Sequence, residues 1–477
     1  MDDGLFLALD QGGHACRALA FDARGNCISS AEQPFATHRA GSRVEQEGDG
    51  MAAAMFAAIA ALADHLGPAM ARVAAAGLAT QRSSIIAVDR NTGRTLTPVL
   101  SWEDLRAAAW LRALAPDPQS VRRITGLRVS AHYGASKMRW CLDHDPHVQE
   151  AYRAGSLAIV PLASFLAHRL SGGGRLVVDP CNASRTLLWD LHTRDWSERL
   201  LHLFGIPRGI LPDTVPNRFP FGVIAAGKAR VPLTVVTGDQ SAAPFAGGAP
   251  DGNTVYVNLG TGAFIQRPAA RKEDAPTRLL HSVAWMDGER LVFMDEGTVN
   301  GAGSAIAAES RRAGLEEAEA FAELRAGLDS AHAPPLFLNG VSGLGSPWWV
   351  ADFPSRMVGD GPPRARLAAV AESIVFLLYR NFVELCGADA PRTMVVTGGL
   401  ARLDGLCARL ASLTGCEVRR PANAEATARG LAWLTAGGPD GWPEGPCDVF
   451  PPGPHPEGLR DRYTAWLEAM ERTIGAL

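Results

Sequence analysis

Residues 235–265 read VVTGDQSAAPFAGGAPDGNTVYVNLGTGAFI, and this stretch decides the fold. Val235, Val236 and Thr237 form a short apolar strand that Gly238 breaks, and Asp239 and Gln240 then begin a short helix. A carboxylate between a strand end and a helix start is aimed by rigid elements. Residues 255–259 form another strand, which runs into Gly260-Thr261-Gly262. A β-rich run ending in Gly-Thr-Gly offers backbone N–H groups and a hydroxyl, a chemistry that suits phosphate oxygens. The first site reads as the place where a hydroxyl loses its proton, the second as part of a phosphate grip.

Upstream, residues 5–9 and 18–21 are apolar strands around the turn Asp10-Gln11-Gly12-Gly13-His14, and residues 27–31 extend the meander. Asp10 is either a turn cap or a carboxylate at a strand tip that holds hydrated Mg²⁺ beside a phosphate. Residues 50–66 are helical by composition. Residues 73–79 form a strand that ends at Thr80-Gln81-Arg82-Ser83-Ser84, and residues 85–88 resume it. The Gln-Arg pair can hydrogen-bond a polyol, or Arg82 is a surface residue near a bend. His132, Tyr133, Lys137 and Trp140 fall on a loop and helix, where a structural role is the default. The same default holds for the polar run 178–185, because buried loops need such groups to satisfy their backbone.

Downstream, the Pro- and Gly-rich residues 246–252 are the best candidate hinge. Gly301-Ala302-Gly303-Ser304 opens a helix. Residues 364–386 form a long helix whose stripe of Leu367, Val370, Ile374, Leu377, Leu378 and Phe382 is core. Residues 393–396 are a strand, and Thr397-Gly398-Gly399 turns it into a helix. Such a turn allows close backbone approach to a planar ligand such as adenosine. A strand at 416–418 precedes a helix at 424–436. Residues 5–21 and 255–265 are both strand–glycine turn–strand units, so each can be the first hairpin of its own domain.

A length of 477 residues suggests two domains. Net charge of −4 gives no basic surplus, so nucleic acid is not an expected partner. Asp2 and Asp3 stand where a secretory signal would be basic. Residues 51–63 are too short a run to span a bilayer, so no membrane role is expected. The eight cysteines form no Cys-x-x-Cys pair and read as reduced, cytoplasmic thiols.

Taken together, LALDQGGHACRALAFD, GLATQRSSIIAVDRNTGRTLTPVLSWED, CNASRTLLWDLHTRDW, TGDQSAAPF, LGTGAF, GLGSPWW and TGGLARLDGL…RPANAEATARG resemble the FGGY carbohydrate kinases, within them the glycerol kinase group. The motifs are collinear over about nine-tenths of the chain, which makes them far more specific than any one alone. The resemblance implies an α/β chain of two actin- and hexokinase-like domains, each a mixed sheet flanked by helices, with an interdomain cleft. The expected division is residues 1–246, with the substrate and the first phosphate loop, and residues 247–477, with the nucleotide. It implies ATP and Mg²⁺ as cofactors and a small polyol or sugar as the acceptor; a homodimer is left open. By position, Asp239 is the general base. Arg82, Ser83, His132, Gln240 and Phe264 surround the substrate. Asp10 faces the Mg²⁺–phosphate region, and Gly12, Gly13, His14 and Arg17 form the first phosphate loop. Gly260 and Thr261 belong to the second loop, and Gly303 and Gly399 line the adenosine site.

The chain also departs from that group. Gly13, His14, Ala15 and Cys16 stand where glycerol kinases carry hydroxyl residues. Ser83 replaces an acidic substrate ligand and His132 a tyrosine, while Ala307 and Leu403 replace adenosine-side residues. Losing a carboxylate that binds the polyol argues against glycerol as the favoured acceptor. The altered phosphate loop motivates another reading, a weak or silent relative that acts as a sugar or nucleotide sensor. A chaperone-like ATPase is a third reading. It leaves the Thr-Gln-Arg and Gly-Asp-Gln stretches without a purpose.

Overall fold

A computed structural model describes residues 4–269, 278–288, 290–330, 332–387, 391–422, 425–440, 442, 445–453 and 458–477. The chain forms two compact units. One holds Met1–Pro250, His281–Phe293 and Glu425–Pro443; the other holds Asp251–Leu280, Met294–Ala424 and Glu444–Leu477.

The central sheet of the first unit has six strands. Leu5–Gln11 pairs antiparallel with Ala15–Phe21, which pairs antiparallel with Cys27–Pro34. On its other side Leu5–Gln11 runs parallel to Val73–Thr80, which runs parallel to Ala229–Gly238. Arg218–Ala226 closes that edge as an antiparallel hairpin partner. Leu5, Leu7, Leu9, Leu78 and Val236 are buried, because these inner strands are covered on both faces and read as near-continuous apolar runs.

Helix Gly48–Leu66 lays Met51, Met55, Ile59 and Leu62 into this core at helical spacing. It is longer than the 51–63 run suggests. With the following turn, Gly48–Arg72 is long and apolar enough to cross a membrane by length and composition alone. The face bearing Met51, Met55, Ile59 and Leu62 is the buried part of it.

Two strand assignments need correction. Residues 85–88 do not resume the strand at 73–79. Ser83 takes a left-handed backbone (φ 66°) and turns the chain out of the first sheet. Ile85–Asp89 then pairs with Leu157–Pro161 in a separate five-stranded sheet. The apolar run 235–237 is the end of a ten-residue strand, Ala229–Gly238. Its first half alternates exposed Arg230 and Pro232 with buried Val231 and Leu233, as a hairpin strand covered on one face does.

In the second unit, Thr254–Leu259 pairs antiparallel with Ala263–Ala269 and parallel with Thr393–Thr397. Thr393–Thr397 runs parallel to Glu417–Pro421, which pairs antiparallel with Cys447–Phe450. The expected duplication is therefore present: a hairpin, two parallel neighbours and an antiparallel edge occur in both units. Helix Pro363–Cys386 buries Leu367, Val370, Ile374, Leu377, Leu378 and Phe382, the stripe expected to be core.

The helix expected at 424–436 is Ala426–Thr435; Ala424 lies outside the described residues. It lies on the first unit's sheet so closely that a Cβ on Gly77 would sit 2.3 Å from the Thr435 hydroxyl. At Gly430 a Cβ would sit 2.0 Å from the carbonyl oxygen of Ala242, directly after Asp239-Gln240-Ser241. Backbone cannot yield as a side-chain tip can. Gly430→Ala is expected to cost about 2 kcal/mol or more in urea denaturation. A loss below about 0.5 kcal/mol, the range of neutral surface changes, would refute this packing.

Candidate active site

The register of the parallel strands brings the expected acidic residues to one end of the first sheet. Asp10 pairs with Ala79 across one side of the central strand, and Thr237 pairs with Ala79 across the other. Gln11 and Gly238 flank Thr80 in the same way. Asp10, Arg82 and Asp239 therefore leave the carboxyl ends of neighbouring strands, where open α/β sheets bind ligands.

Asp239 begins the short helix Asp239–Ala242, and its carboxylate accepts from the Gln240 N–H at 2.6 Å. Thr427 of the docked helix donates its hydroxyl to the Asp239 carbonyl at 3.3 Å. Arg82 Nε lies 3.9 Å from Asp239 Oδ1. A Cβ on Gly238 would come 2.5 Å from Arg82 Cγ, so glycine there lets the arginine stem cross the strand end.

Asp10 is only 3 % exposed. Arg17, its cross-strand partner, places Nη2 3.5 Å from the Asp10 carboxylate and Nη1 2.6 Å from Glu425. Burial pushes the Asp10 carboxyl up to about 7. The Arg17 cation opposes the rise, and the charges of Asp239, Glu425 and Glu32 add to it. These neighbouring carboxylates thus make Asp10 harder to ionise. Gly12 closes the turn by donating its N–H to the Ala15 carbonyl at 3.0 Å, and His14 is exposed.

Ser83 and His132 are joined by a residue whose sequence context gave it only a structural role. Lys137, on helix Gly134–His144, is fully buried. Its ammonium donates to the carbonyls of Ser83 at 3.1 Å and His132 at 2.7 Å. Desolvation pushes Lys137 down to about 7, although Asp104 pulls the other way. The His132 ring bonds the Trp102 carbonyl through Nδ1 at 3.0 Å. Desolvation lowers its basicity; the Trp102 carbonyl opposes this and Lys137 reinforces it. A solitary lysine in a mixed helix carries no pattern that announces two carbonyl partners, so the sequence reading missed it.

The polar run 178–185 is structural, as expected. Asp179 caps the helix Pro180–Ser184 and accepts from Asn182 and Asn217.

The second unit gathers its own set. Gly260 and Thr261 follow the end of Thr254–Leu259, and their carbonyls accept the N–H groups of Gly303, Ala302 and Ser304 at 3.0–3.1 Å. Gly303 begins helix Gly303–Ala313, and a Cβ there would sit 2.8 Å from the Gly260 carbonyl. Gly398 (φ 92°) turns against Leu259, whose backbone a Cβ would meet at 2.6 Å, and Gly399 follows. Gly260, Thr261, Gly303 and Gly399 thus share one end of the second sheet, with Thr261 exposed. Phe264 pairs with Asn258 on the same hairpin, within this unit. Leu403 is buried in the second core.

The raised Asp10 carboxyl has a measurable consequence. A carboxyl that titrates near 7 in the native state and near 3.8 unfolded stabilises the fold fully only below the lower value. That stability is lost as pH rises through about 7. Asp10→Asn removes the titration, so it is expected to melt higher than wild type at pH ~8, with the gap closing toward pH ~5. A variant that melts lower than wild type at pH ~8 would contradict this account of the site.

The model of the FGGY family of carbohydrate kinases, N-terminal domain, matches residues 5–256, and its C-terminal domain model matches residues 255–437. The chain is 31% identical to a glycerol kinase of Alkalilimnicola ehrlichii, covering 98% of each. It is 33% identical to a glycerol kinase of Aromatoleum aromaticum, covering 91% of this chain and 90% of that one. Among solved structures, the glycerol kinase of Plasmodium falciparum with ADP superposes with a TM-score of 0.87 at 19% identity, covering 98% of each chain. That likeness concerns the fold alone. The chain therefore belongs to the FGGY family of carbohydrate kinases and is an ATP-dependent carbohydrate kinase.

Proposed function

We propose that this kinase transfers the terminal phosphoryl group of ATP to a hydroxyl of a small polyol or sugar, with Asp239 as general base. The observation that carries the reading is the common level of Asp10, Arg82 and Asp239 at the ends of adjacent parallel strands. Residues 1–246 would bind the acceptor and hold the first phosphate loop, and residues 247–477 would bind the nucleotide.

Asp239 takes the proton from the attacking hydroxyl. Arg82, 3.9 Å from its carboxylate, binds acceptor oxygens, joined by Gln240, Ser83, His132 and Phe264. Backbone N–H groups of Gly13 and His14, with Arg17, bind donor phosphate oxygens, while Gly12 closes the turn through its N–H bond to the Ala15 carbonyl. In the second unit, Gly260 and Thr261 bind phosphate oxygens, and Gly303 and Gly399 make room for the adenosine. Asp10 would hold Mg²⁺, which neutralises charge on the phosphate oxygens. The fit is chemical: Mg²⁺ keeps several waters and needs few protein carboxylates. Burial also leaves Asp10 short of positive charge even beside Arg17. Phosphoryl transfer needs chiefly alignment and charge neutralisation, which this set supplies.

Several curated relatives are named glycerol kinase. Ser83 is shorter than the acidic residue of that group and cannot accept hydrogen bonds as a carboxylate does. His132 puts an imidazole where that group has a phenol. We infer an acceptor other than glycerol. The eight free cysteines support a reducing, cytoplasmic setting.

Asp239→Asn is expected to reduce turnover ~10²–10⁴-fold, the usual worth of a general base, with an unchanged melting point. Wild-type turnover in that variant would end the assignment. In a polyol and sugar panel coupled to ADP detection, an acceptor other than glycerol is expected to give the highest kcat/KM. Glycerol at the top would refute the acceptor reading. ATP binding without turnover on any acceptor would favour a sensor.

A further inference from the structure

Three buried glutamines meet behind the Gly12-Gly13-His14 turn. Gln11 is 0 %, Gln46 1 % and Gln81 3 % exposed. Gln11 Nε2 donates to the Gly12 carbonyl at 2.5 Å, and Gln11 Oε1 accepts from the Gln81 N–H at 3.3 Å. Gln81 Nε2 donates to Gln46 Oε1 at 2.7 Å. Gln46 Nε2 donates to the Gly13 carbonyl at 3.2 Å and to the Thr37 hydroxyl at 3.0 Å.

The polarity of this chain is fixed by its ends. A carbonyl can only accept, so the Gly13 oxygen requires Gln46 to present its amide nitrogen. Gln46 Oε1 then faces Gln81, which must present its own nitrogen. At the other end, the Gly12 oxygen and the Gln81 N–H fix Gln11 in the same way. No member can flip without leaving a buried polar pair mismatched.

The peptide unit is planar and trans, so each N–H points opposite to the carbonyl of the same unit. The Gly12 carbonyl shares its plane with the Gly13 N–H, and the Gly13 carbonyl with the His14 N–H. Glutamine amides holding both carbonyls inward therefore turn both N–H groups outward. Within the turn, the backbone bonds run from the Gly12 N–H to Ala15 and from the Phe35 N–H to the His14 carbonyl. A Cβ on Gly13 would meet nothing within 4 Å, so the outward side is open. Successive outward N–H groups make an anion-binding concavity.

We propose that Gln46, which comes from the five-stranded sheet, is a positioning residue for the donor phosphate grip, with Gln81 and Gln11 completing the clamp. It fixes the Gly13–His14 peptide so that the His14 N–H faces a nucleotide phosphate oxygen. This compensates for a turn that lacks side-chain hydroxyls. The inference rests on the reading of residues 12–14 as a phosphate grip.

The test measures ATP and adenosine affinity by calorimetry, which needs no acceptor. Gln46→Glu keeps the shape and still accepts from Gln81 but cannot donate to Gly13. Gln46→Met removes the amide without burying a charge, and serves if the glutamate variant does not fold. Both are expected to weaken ATP binding about tenfold, as loss of an oriented charge-assisted bond does, and to leave adenosine binding unchanged. Thr37→Val removes the amide's other bond and is expected to leave ATP affinity unchanged. Wild-type ATP affinity in a folded Gln46 variant would overturn the proposal, as would equal weakening of adenosine. Wild-type protein that binds ATP no more tightly than adenosine would instead overturn the phosphate-grip reading beneath it.

Discussion

Parallel pairing of Leu5–Gln11 and Ala229–Gly238 on opposite sides of Val73–Thr80 is the constraint on which the first unit depends. It ends these strands at one level. Parallel pairs need long crossovers; helix Gly48–Leu66 in one crossover covers one face, and the downstream helix Ala426–Thr435 lies against Gly77 on the other. The inner strands can then be largely apolar, with Asp10 and Asp239 emerging at their carboxyl ends. Asp10 and Asp239 meet there because the register allows nothing else. A slip of one residue would send Asp10 and its neighbours to the opposite face.

Bringing two carboxylates to one place is costly, and the surroundings show how the cost is met. Asp10 is buried yet has Arg17 3.5 Å away, and Arg17 is held in turn by Glu425. Asp239 has Arg82 at 3.9 Å and the Gln240 N–H at 2.6 Å. Lys137 is a similar case without an acid in contact. Its ammonium is buried against two carbonyls, one of them from the left-handed Ser83. A buried cation and an unfavourable backbone conformation at one point indicate a segment held for a purpose other than stability.

The second unit repeats the first's sheet pattern with a different chemistry at the strand ends. Where the first presents acids and arginines, the second presents glycines: Gly303 and Gly398 approach backbone more closely than a Cβ permits, and Gly260 lies against Gly303. One topology therefore carries acids and arginines at its strand ends in one copy, and close backbone approach in the other. Small changes at strand ends achieve this because the sheet beneath is indifferent to them.

The sequence alone determined the hairpin units, the buried stripe of helix Pro363–Cys386 and the glycine turns. Those features are written in local chemistry: apolar runs, helical spacing and residues that tolerate tight turns. It also supplied the family through motifs whose order is preserved along the chain. The tertiary structure alone decided that the strand at 73–80 and the strand at 85–89 lie in different sheets, because a left-handed Ser83 redirects the chain. It alone joined Gln11, Gln46 and Gln81, and gave Lys137 its two carbonyls. Glutamine and lysine have no distinctive local pattern. What they do depends on which distant carbonyl lies within 3 Å or so, and only the folded chain sets that distance.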